Sequence, residues 1–443
     1  MIYFLYQIIA WALFLLVFPF FIIYSLSGPP QEARQRLGFY PSAPKPANKK
    51  KRIWLHAASV GEVRVARALT EEIQRQLPGT QIWVSTLTRH GQQVCREWLP
   101  PEVTCIYAPL DLAGISSRAM RTIEPDLYVC LETELWPEII LQADRRGSGP
   151  LLLNARLSDR SMRRYQGWPV RYLLGKTLAR FKAIAAVSED DARRYRDLGA
   201  DPQIVTVCGN AKYDLNLAPE RPAAEMAANP GELAAAWRRN LGLTREQPVL
   251  VAGSTHAGEE ELMLAAWRKL KRNLPGLVLI LAPRHLQRLP EVEELLRERS
   301  IVFQHLASLD ASGPEAEAKA AVLLVDRMGE LARLYAVADY VFCGGSLVKR
   351  GGHNLLEAAA WGKPVLFGPH MDDFREEAEL LRQEGAGFMV RDDEDICQRI
   401  MAFHIRPAAY GRAAQQAREI ALRLRGAARQ QVEIIKQFVG EDG

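Results

Sequence analysis

No charged residue occurs before Glu32 in this chain of 443 residues, and from Ile2 to Leu26 only Gln7 and Ser25 are clearly polar. The run lacks a charged n-region and an A-x-A site, and it is too long for a secretory signal, so a retained segment is the better reading. At about 1.5 Å per residue it spans roughly 37 Å, enough to cross a hydrocarbon core of about 30 Å with some tilt. Pro19 is tolerable in such a helix. Cysteine is sparse and scattered: Cys95, Cys105, Cys130, Cys208, Cys343 and Cys397 form no C-x-x-C pair. That excludes a disulfide framework and points to buried reduced thiols in a cytosolic body. No zinc spacing links the cysteines to the histidines, so neither a metal nor a cofactor is expected. The G-x-x-x-x-G-K-[ST] and G-x-G-x-x-G patterns are both missing, which lowers ATPase and dehydrogenase readings. The net charge of +5 is modest, and no nucleic-acid partner is expected.

Charge is present where the apolar run ends. Between Glu32 and Arg52 one acid faces seven bases, Arg34, Arg36, Lys45, Lys49, Lys50, Lys51 and Arg52. A basic cluster after a single span predicts a body on the cytoplasmic side, attracted to anionic headgroups. The inner (cytoplasmic) membrane is the expected location, with the N-terminal helix as the membrane contact.

Beyond the linker, near-continuous apolar runs alternate with helical patterns. Strands are expected at Ile53–His56, Gln81–Ser85, Val103–Tyr107, Asp126–Leu131, Leu151–Asn154, Ala183–Val187 and Ile204–Val207. After a break from Leu215 to Gln247 they resume at Pro248–Ala252, Leu277–Ala282, Ile301–Gln304, Ala321–Val325, Tyr340–Cys343 and Pro364–Phe367. Ala311–Lys319 reads as a charged surface loop, and one long helix is expected from about Ala408 to Phe438. Parallel sheets covered on both faces follow from this alternation. The expected architecture is α/β, two Rossmann-like domains facing a cleft, preceded by one transmembrane helix. The boundaries are 1–27 anchor, 28–52 basic linker, 53–215 first Rossmann-like domain, 216–247 linker, 248–405 second Rossmann-like domain and 406–443 C-terminal helical segment.

The polar insertions fall at strand ends, where open α/β sheets bind ligands. His56-Ala57-Ala58-Ser59-Val60-Gly61-Glu62 reads as a strand, a small-residue turn and the start of a helix. The plain reading of Glu62 is an acid complementing a helix N-terminus. Glu132-Thr133-Glu134-Leu135-Trp136-Pro137 follows another strand, so Glu132 sits on the same edge, although either acid alone would pass for a solvated cap. Gly209-Asn210-Ala211-Lys212-Tyr213-Asp214 adds a cation, Lys212. The second half carries Pro283-Arg284-His285, whose guanidinium suits a phosphate, and Met328-Gly329-Glu330, where glycine permits close approach to a base. Gly344-Gly345-Ser346 and Gly351-Gly352 lead into His353-Asn354-Leu355-Leu356-Glu357, a glycine loop suited to a phosphate at a helix N-terminus, with Glu357 placed for ribose hydroxyls. Gly253-Ser254-Thr255-His256 is a weaker candidate of the same kind.

In order along the chain, HAASVGE, LETELWP, Asn154-Ala155-Arg156-Leu157-Ser158, GNAKYD, GSTHAGEEE, LAPRH, Asp326 through Leu331 and Gly344 through Glu357 resemble the Kdo transferases of Gram-negative bacteria. The resemblance spans nearly the whole chain. It implies a B-type glycosyltransferase fold, with an acceptor-binding first domain and a nucleotide-sugar-binding second domain. The implied reaction is inverting transfer of Kdo (3-deoxy-D-manno-octulosonic acid) from CMP-Kdo to the 6′-hydroxyl of the tetraacyldisaccharide lipid A precursor. It also implies Glu62 as general base and Glu132 and Lys212 as transition-state supports. Pro283, Arg284, Met328, Gly329, Glu330, Asn354, Leu355, Leu356 and Glu357 are the implied CMP contacts. Asn210 stands where some relatives have Ser.

Rival readings are a membrane-associated B-type enzyme using a UDP-sugar, a hydrolase using Glu62 and Glu132, and a tethered binding protein without catalysis. The hydrolase leaves the second half's loops unexplained.

Overall fold

The computed structural model describes residues 2–26, 28–41, 51–217, 230–311 and 320–439. Lys45, Lys49 and Lys50, residues 218–229 of the break expected between the domains and the loop at 312–319 lie outside them. The chain divides into two compact units, one running to Leu215 and resuming at Gly426, the other running from Asn216 to Arg425.

The first unit opens with helix α1 (Ile2–Leu26), whose stretch Ile2–Phe20 is long and apolar enough to cross a membrane, at a mean hydropathy of 2.0. Helix α2 (Pro30–Arg36) follows. Then come β1 (Arg52–His56), α3 (Val60–Gln76), β2 (Gln81–Thr86), α4 (Arg89–Trp98), β3 (Thr104–Tyr107) and α5 (Ala113–Ile123). β4 (Leu127–Leu131), α6 (Pro137–Arg145), β5 (Leu151–Ala155), α7 (Asp159–Tyr165) and α8 (Val170–Leu178) come next. β6 (Ala183–Ala186), α9 (Glu189–Asp197) and β7 (Val205–Val207) complete a parallel sheet in the order β3-β2-β1-β4-β5-β6-β7. Chain order reverses between β1 and β4, and that reversal opens the crevice where such sheets take ligands. His56 lies level with Ser85 on one side and Cys130 on the other, so the ends of β2, β1 and β4 share one edge. Both faces are filled. Ile53 and Leu55 join one apolar cluster with α3, while Trp54 packs with Trp83 and Tyr128 on the other face.

The second unit repeats the plan. β8 (Val249–Thr255), β9 (Val278–Pro283), β10 (Phe303–His305), β11 (Val322–Leu324), β12 (Tyr340–Cys343), β13 (Val365–Phe367) and β14 (Gly387–Met389) pair in the order β10-β11-β9-β8-β12-β13-β14. Here the reversal falls between β8 and β12. Among the described residues, every strand is parallel to its neighbours.

Two features depart from the sequence pattern. β14 is a strand where none is expected, because Gly387-Phe388-Met389 is too short to stand out. The C-terminal helical segment is not one helix but two, Pro407–Leu424 and Ala427–Val439. Gly426 takes φ +87° at the break, a left-handed conformation open to glycine at little cost. The first of these helices belongs to the second unit and the last one to the first unit, where it packs on α3.

Candidate active site

In the first unit, β1 ends at His56 and the turn Ala57-Ala58-Ser59 opens α3. Ser59 caps the helix: its Oγ accepts the Glu62 N–H at 3.4 Å and its hydroxyl donates to Glu62 Oε1 at 3.0 Å. The Ala58 N–H donates to Glu62 Oε2 at 2.6 Å. This is a variant of the capping box in which the acid reaches back to the N–H one residue before the cap, so the plain reading of Glu62 is structurally correct. More than capping is present, however. Glu62 is buried, and its carboxyl is pushed up to about 8, first by burial and then by the negative charges of Glu134 and Glu132, against the pull of the Ala58 amide. An ordinary solvated cap is not held near neutrality in this way.

β4 delivers the other two acids. Glu132 follows it directly in a left-handed conformation, φ +54°, which costs a residue with a Cβ about 1–3 kcal/mol. Its N–H donates to the Leu153 carbonyl at 3.1 Å and its carbonyl accepts the Tyr195 hydroxyl at 3.0 Å, which fix the turn. Glu134 lies two residues on, at 20% side-chain exposure and 3.6 Å from His56 Nε2. The Trp136 indole N–H donates to it at 2.5 Å. Burial alone would raise the Glu134 carboxyl, but the His56 ring and Trp136 take it below the ordinary value. His56 is anchored in turn, its Nδ1 at 2.9 Å from Ser85 Oγ, which also accepts the Trp54 indole N–H at 2.9 Å. Two acids on one edge thus hold opposite states: Glu134 is kept ionised and Glu62 is kept near its titration point.

Lys212 arrives from β7, three strands from β4 in the sheet order. Its loop bends back, however: the Ala211 N–H donates to Asn154 Oδ1, at the end of β5, at 2.8 Å. Lys212 begins the helix Lys212–Leu217, its N–H donates to Asn210 Oδ1 at 3.1 Å, and its ammonium lies 5.1 Å from the centre of the Tyr213 ring. Gln431, on the last helix, donates to the Gly209 carbonyl at 3.1 Å.

In the second unit, Pro283 closes β9 and Arg284 follows, exposed, with its backbone N–H on the Thr255 carbonyl at 3.0 Å. Met328 is exposed, Gly329 has φ +85°, and Glu330 pairs with Arg327 at 2.9 Å. Asn354 Nδ2 donates to Glu357 Oε1 at 2.9 Å, and Asn354 Oδ1 accepts the Leu356 N–H at 3.1 Å. The helix behind the glycine loop is a single turn, Leu356–Ala359, so the helix-dipole argument for a phosphate there loses its basis. Leu355 and Leu356 are fully buried; their side chains are core, which leaves only backbone to meet a ligand.

Two elements of this edge are not singled out by sequence reasoning. Glu259 opens the helix Glu259–Leu270 and accepts four backbone N–H groups: Gly345 at 2.7 Å, Ser346 at 3.0 Å, Leu347 at 2.9 Å and His256 at 3.0 Å. It ties the loop after β8 to the loop after β12. Its signal was the acid three residues after His256, the spacing of a capping box. The second is a histidine cluster. His256 and His353 stack with Nε2 atoms 2.9 Å apart, and His285 meets His256 edge-on at 5.5 Å. Burial, reinforced by His285 and nearby arginines, lowers both stacked rings to about 4, and His256 adds to the effect on His353. Arg284 acts on both rings and Arg350 on His256, so the edge is cationic and suits an anion.

Residues 31–215 match the family described as 3-deoxy-D-manno-octulosonic-acid transferase (kdotransferase). The 3-deoxy-D-manno-octulosonic acid transferase of Haemophilus influenzae is 32% identical over 410 residues, covering 92% of each chain. The enzyme of the same name from Chlamydophila psittaci is 32% identical over 75% of this chain and 73% of its own. Among solved structures, the C-terminal CMP-Kdo binding domain of WaaA from Acinetobacter baumannii is 29% identical, at a TM-score of 0.39 over 43% of this chain and 97% of that one. At 32% identity to the Haemophilus influenzae enzyme over 92% of its length, the chain belongs to the Kdo transferases and is a glycosyltransferase.

Proposed function

We propose that the protein transfers Kdo from CMP-Kdo to a hydroxyl of the tetraacyldisaccharide lipid A precursor, with inversion, at the cytoplasmic face of the inner membrane. Acceptor recognition is assigned to the first unit and nucleotide recognition to the second. The acceptor alcohol is a poor nucleophile. As its oxygen bonds to the anomeric carbon of Kdo, its proton passes to Glu62, the bond from that carbon to the CMP phosphate breaks, and CMP leaves with the electron pair. Glu132 and Lys212 support the charge that develops, and Glu134 holds Glu62 basic. Departing negative charge is met by Arg284, by backbone N–H groups and by the cationic edge of the second unit. Pro283, Met328, Gly329, Glu330 and Asn354 through Glu357 hold the nucleotide, with Leu355 and Leu356 contributing backbone only. A tether through α1 raises the effective concentration of a lipid acceptor.

The observation that carries this reading is the state of Glu62: a buried carboxylate, fixed by Ala58 and Ser59, with its proton affinity raised to about 8. A base poised near the working pH is what alcohol deprotonation requires. The test is mass spectrometry of products from purified protein, lipid A precursor and CMP-Kdo made in situ. A mass increase of one or more Kdo units supports the reading. CMP release without a lipid product, or product formed only with UDP-sugars, overturns it.

A further inference from the structure

α1 is apolar along its length, yet its first two turns are tied to the first unit by polar contacts. The Tyr6 hydroxyl donates to Asp111 Oδ2 at 2.7 Å. The Gln7 side-chain amide donates to Glu138 Oε2 at 3.1 Å, and its Oε1 accepts the Ala113 N–H at 2.9 Å. The Tyr3 hydroxyl lies 3.2 Å from Thr177 Oγ1 and accepts from Arg180 Nε at 3.1 Å. Asp111 is buried and also accepts the N–H groups of Glu138 and Ile139, at 3.0 and 2.8 Å, so Tyr6 completes a built acceptor at the start of α6.

The other end of α1 returns to the same unit. Gly28 stands so close to Arg89, at the start of α4, that a Cβ on it would overlap the guanidinium. Arg89 and Arg36 both pair with the buried Glu32 of α2, at 2.7 and 2.9 Å. Most telling, the Arg36 carbonyl accepts the N–H of Leu110 at 2.9 Å, and the next residue, Asp111, holds Tyr6. Adjacent residues of the body therefore receive chain positions 6 and 36, the first in the opening turns of α1 and the second beyond its end. A helix that crosses a bilayer separates its ends by roughly 30 Å of hydrocarbon. Crossing would strip Tyr6 and Gln7 from their partners and leave Asp111 buried without its hydroxyl donor.

We propose that α1 lies in the plane of the cytoplasmic leaflet, with both ends on the body's side, as a monotopic lipid contact. This rests on the membrane attachment proposed above. Its outward surface is apolar: Phe4, Leu5, Ile8, Leu13, Leu16 and Phe20 are each 46–73% exposed. Arg34, which is exposed, follows it in the chain, where anionic headgroups would lie. The contacted residues Asp111 and Glu138 lie just beyond β3 and β4, so the lipid-facing helix borders the sheet edge that carries Glu132 and Glu134. A lipid acceptor would meet that edge without leaving the leaflet.

The test uses the full chain in native membranes. A Gln7→Cys, Ala113→Cys pair is treated with a short bis-maleimide. Separately, Ile2→Cys is exposed to a membrane-impermeant maleimide in spheroplasts and in inverted vesicles. The inference expects a cross-linked band in the double variant, its loss in each single variant, and labelling of Ile2→Cys in inverted vesicles only. Labelling from the spheroplast exterior, or no cross-link in membranes, overturns the in-plane course. Flotation with vesicles of phosphatidylethanolamine and phosphatidylglycerol separates the two failures. A protein that floats but labels from outside is attached by a crossing helix, whereas one that does not float overturns the attachment as well.

Discussion

The Glu62 carboxylate accepts the backbone N–H of Ala58 at 2.6 Å, so the acid assigned to the acceptor proton is gripped by the turn that precedes it. That grip fixes direction without neutralising the group. One backbone amide and one serine hydroxyl do not offset burial beside Glu134 and Glu132, and the balance leaves the proton affinity at about 8. The arrangement reconciles a helix cap with a base. It also makes Glu62 a charge that folding does not favour.

Glu62→Gln therefore moves activity and stability in opposite directions. Turnover on saturating acceptor falls by roughly 10²–10⁴-fold, because the amide cannot take a proton. Stability rises. Glu62 ionises at about 8 in the folded chain and near 4.5 when unfolded, so the wild type loses stability as pH climbs from about 4.5 to about 8 and loses no more above that. The variant escapes a penalty on the order of 3–5 kcal/mol at pH 8 and above. Steady-state rates and thermal melts at pH 5 and pH 8.5 check both halves. Near-normal turnover would pass the role of base to Glu132.

The pH profile follows from the same pair of acids. kcat/KM rises with pH through about 8 as Glu62 loses its proton. Glu134 repels the Glu62 charge, so Glu134→Gln moves the ascending limb to lower pH. A profile whose midpoint does not move in Glu134→Gln would separate the two carboxylates and remove Glu134 from the site.

Glu259 acts at a distance from any ligand, through the loops it joins. Glu259→Gln keeps the volume but places an amide N–H against backbone donors that now meet a carboxylate. Each buried donor left unmatched costs about 1–3 kcal/mol. CMP affinity by calorimetry is expected to fall tenfold or more by that scale, while far-ultraviolet dichroism stays native. Arg284→Ala weakens CMP binding by a similar factor with the loop intact, through loss of a phosphate partner. Unchanged CMP affinity in both variants would remove the nucleotide site from this edge.

The fold was legible because its strands are long apolar runs. Ile53-Trp54-Leu55 is buried on both faces, and that double burial leaves no polar alternation to mislead. β14 has no such signature, since it is three residues beginning with glycine. The chemical turns at Glu62, Glu132, Arg284 and Asn354 were visible as polar words after apolar runs. What could not be read was connectivity across the edge: Glu134 reaches His56, and Glu259 reaches Gly345, over chain separations that spacing does not encode. Leu355 and Leu356 show the converse, for a motif names positions without saying which atoms face outward.

The last helix depends on a contact of that non-local kind. Asp214, two residues beyond Lys212, accepts the N–H groups of Gly426 and Ala428 at 2.5 and 2.6 Å. It caps Ala427–Val439 from more than two hundred residues away. That helix packs on α3, the helix carrying Glu62, and its Gln431 holds the Gly209 carbonyl beside Lys212. Losing the cap thus loosens support for two proposed catalytic residues at once. Asp214→Ala is expected to destabilise the first unit by about 1–2 kcal/mol, the range for removing a capping side chain. Asp214→Asn, which keeps one acceptor oxygen, should recover part of that loss. Chemical denaturation of the two variants measures the difference, and turnover at a temperature where both stay folded reads the effect on the site. If Asp214→Ala matches the wild type in both, the last helix holds its place through its apolar face alone.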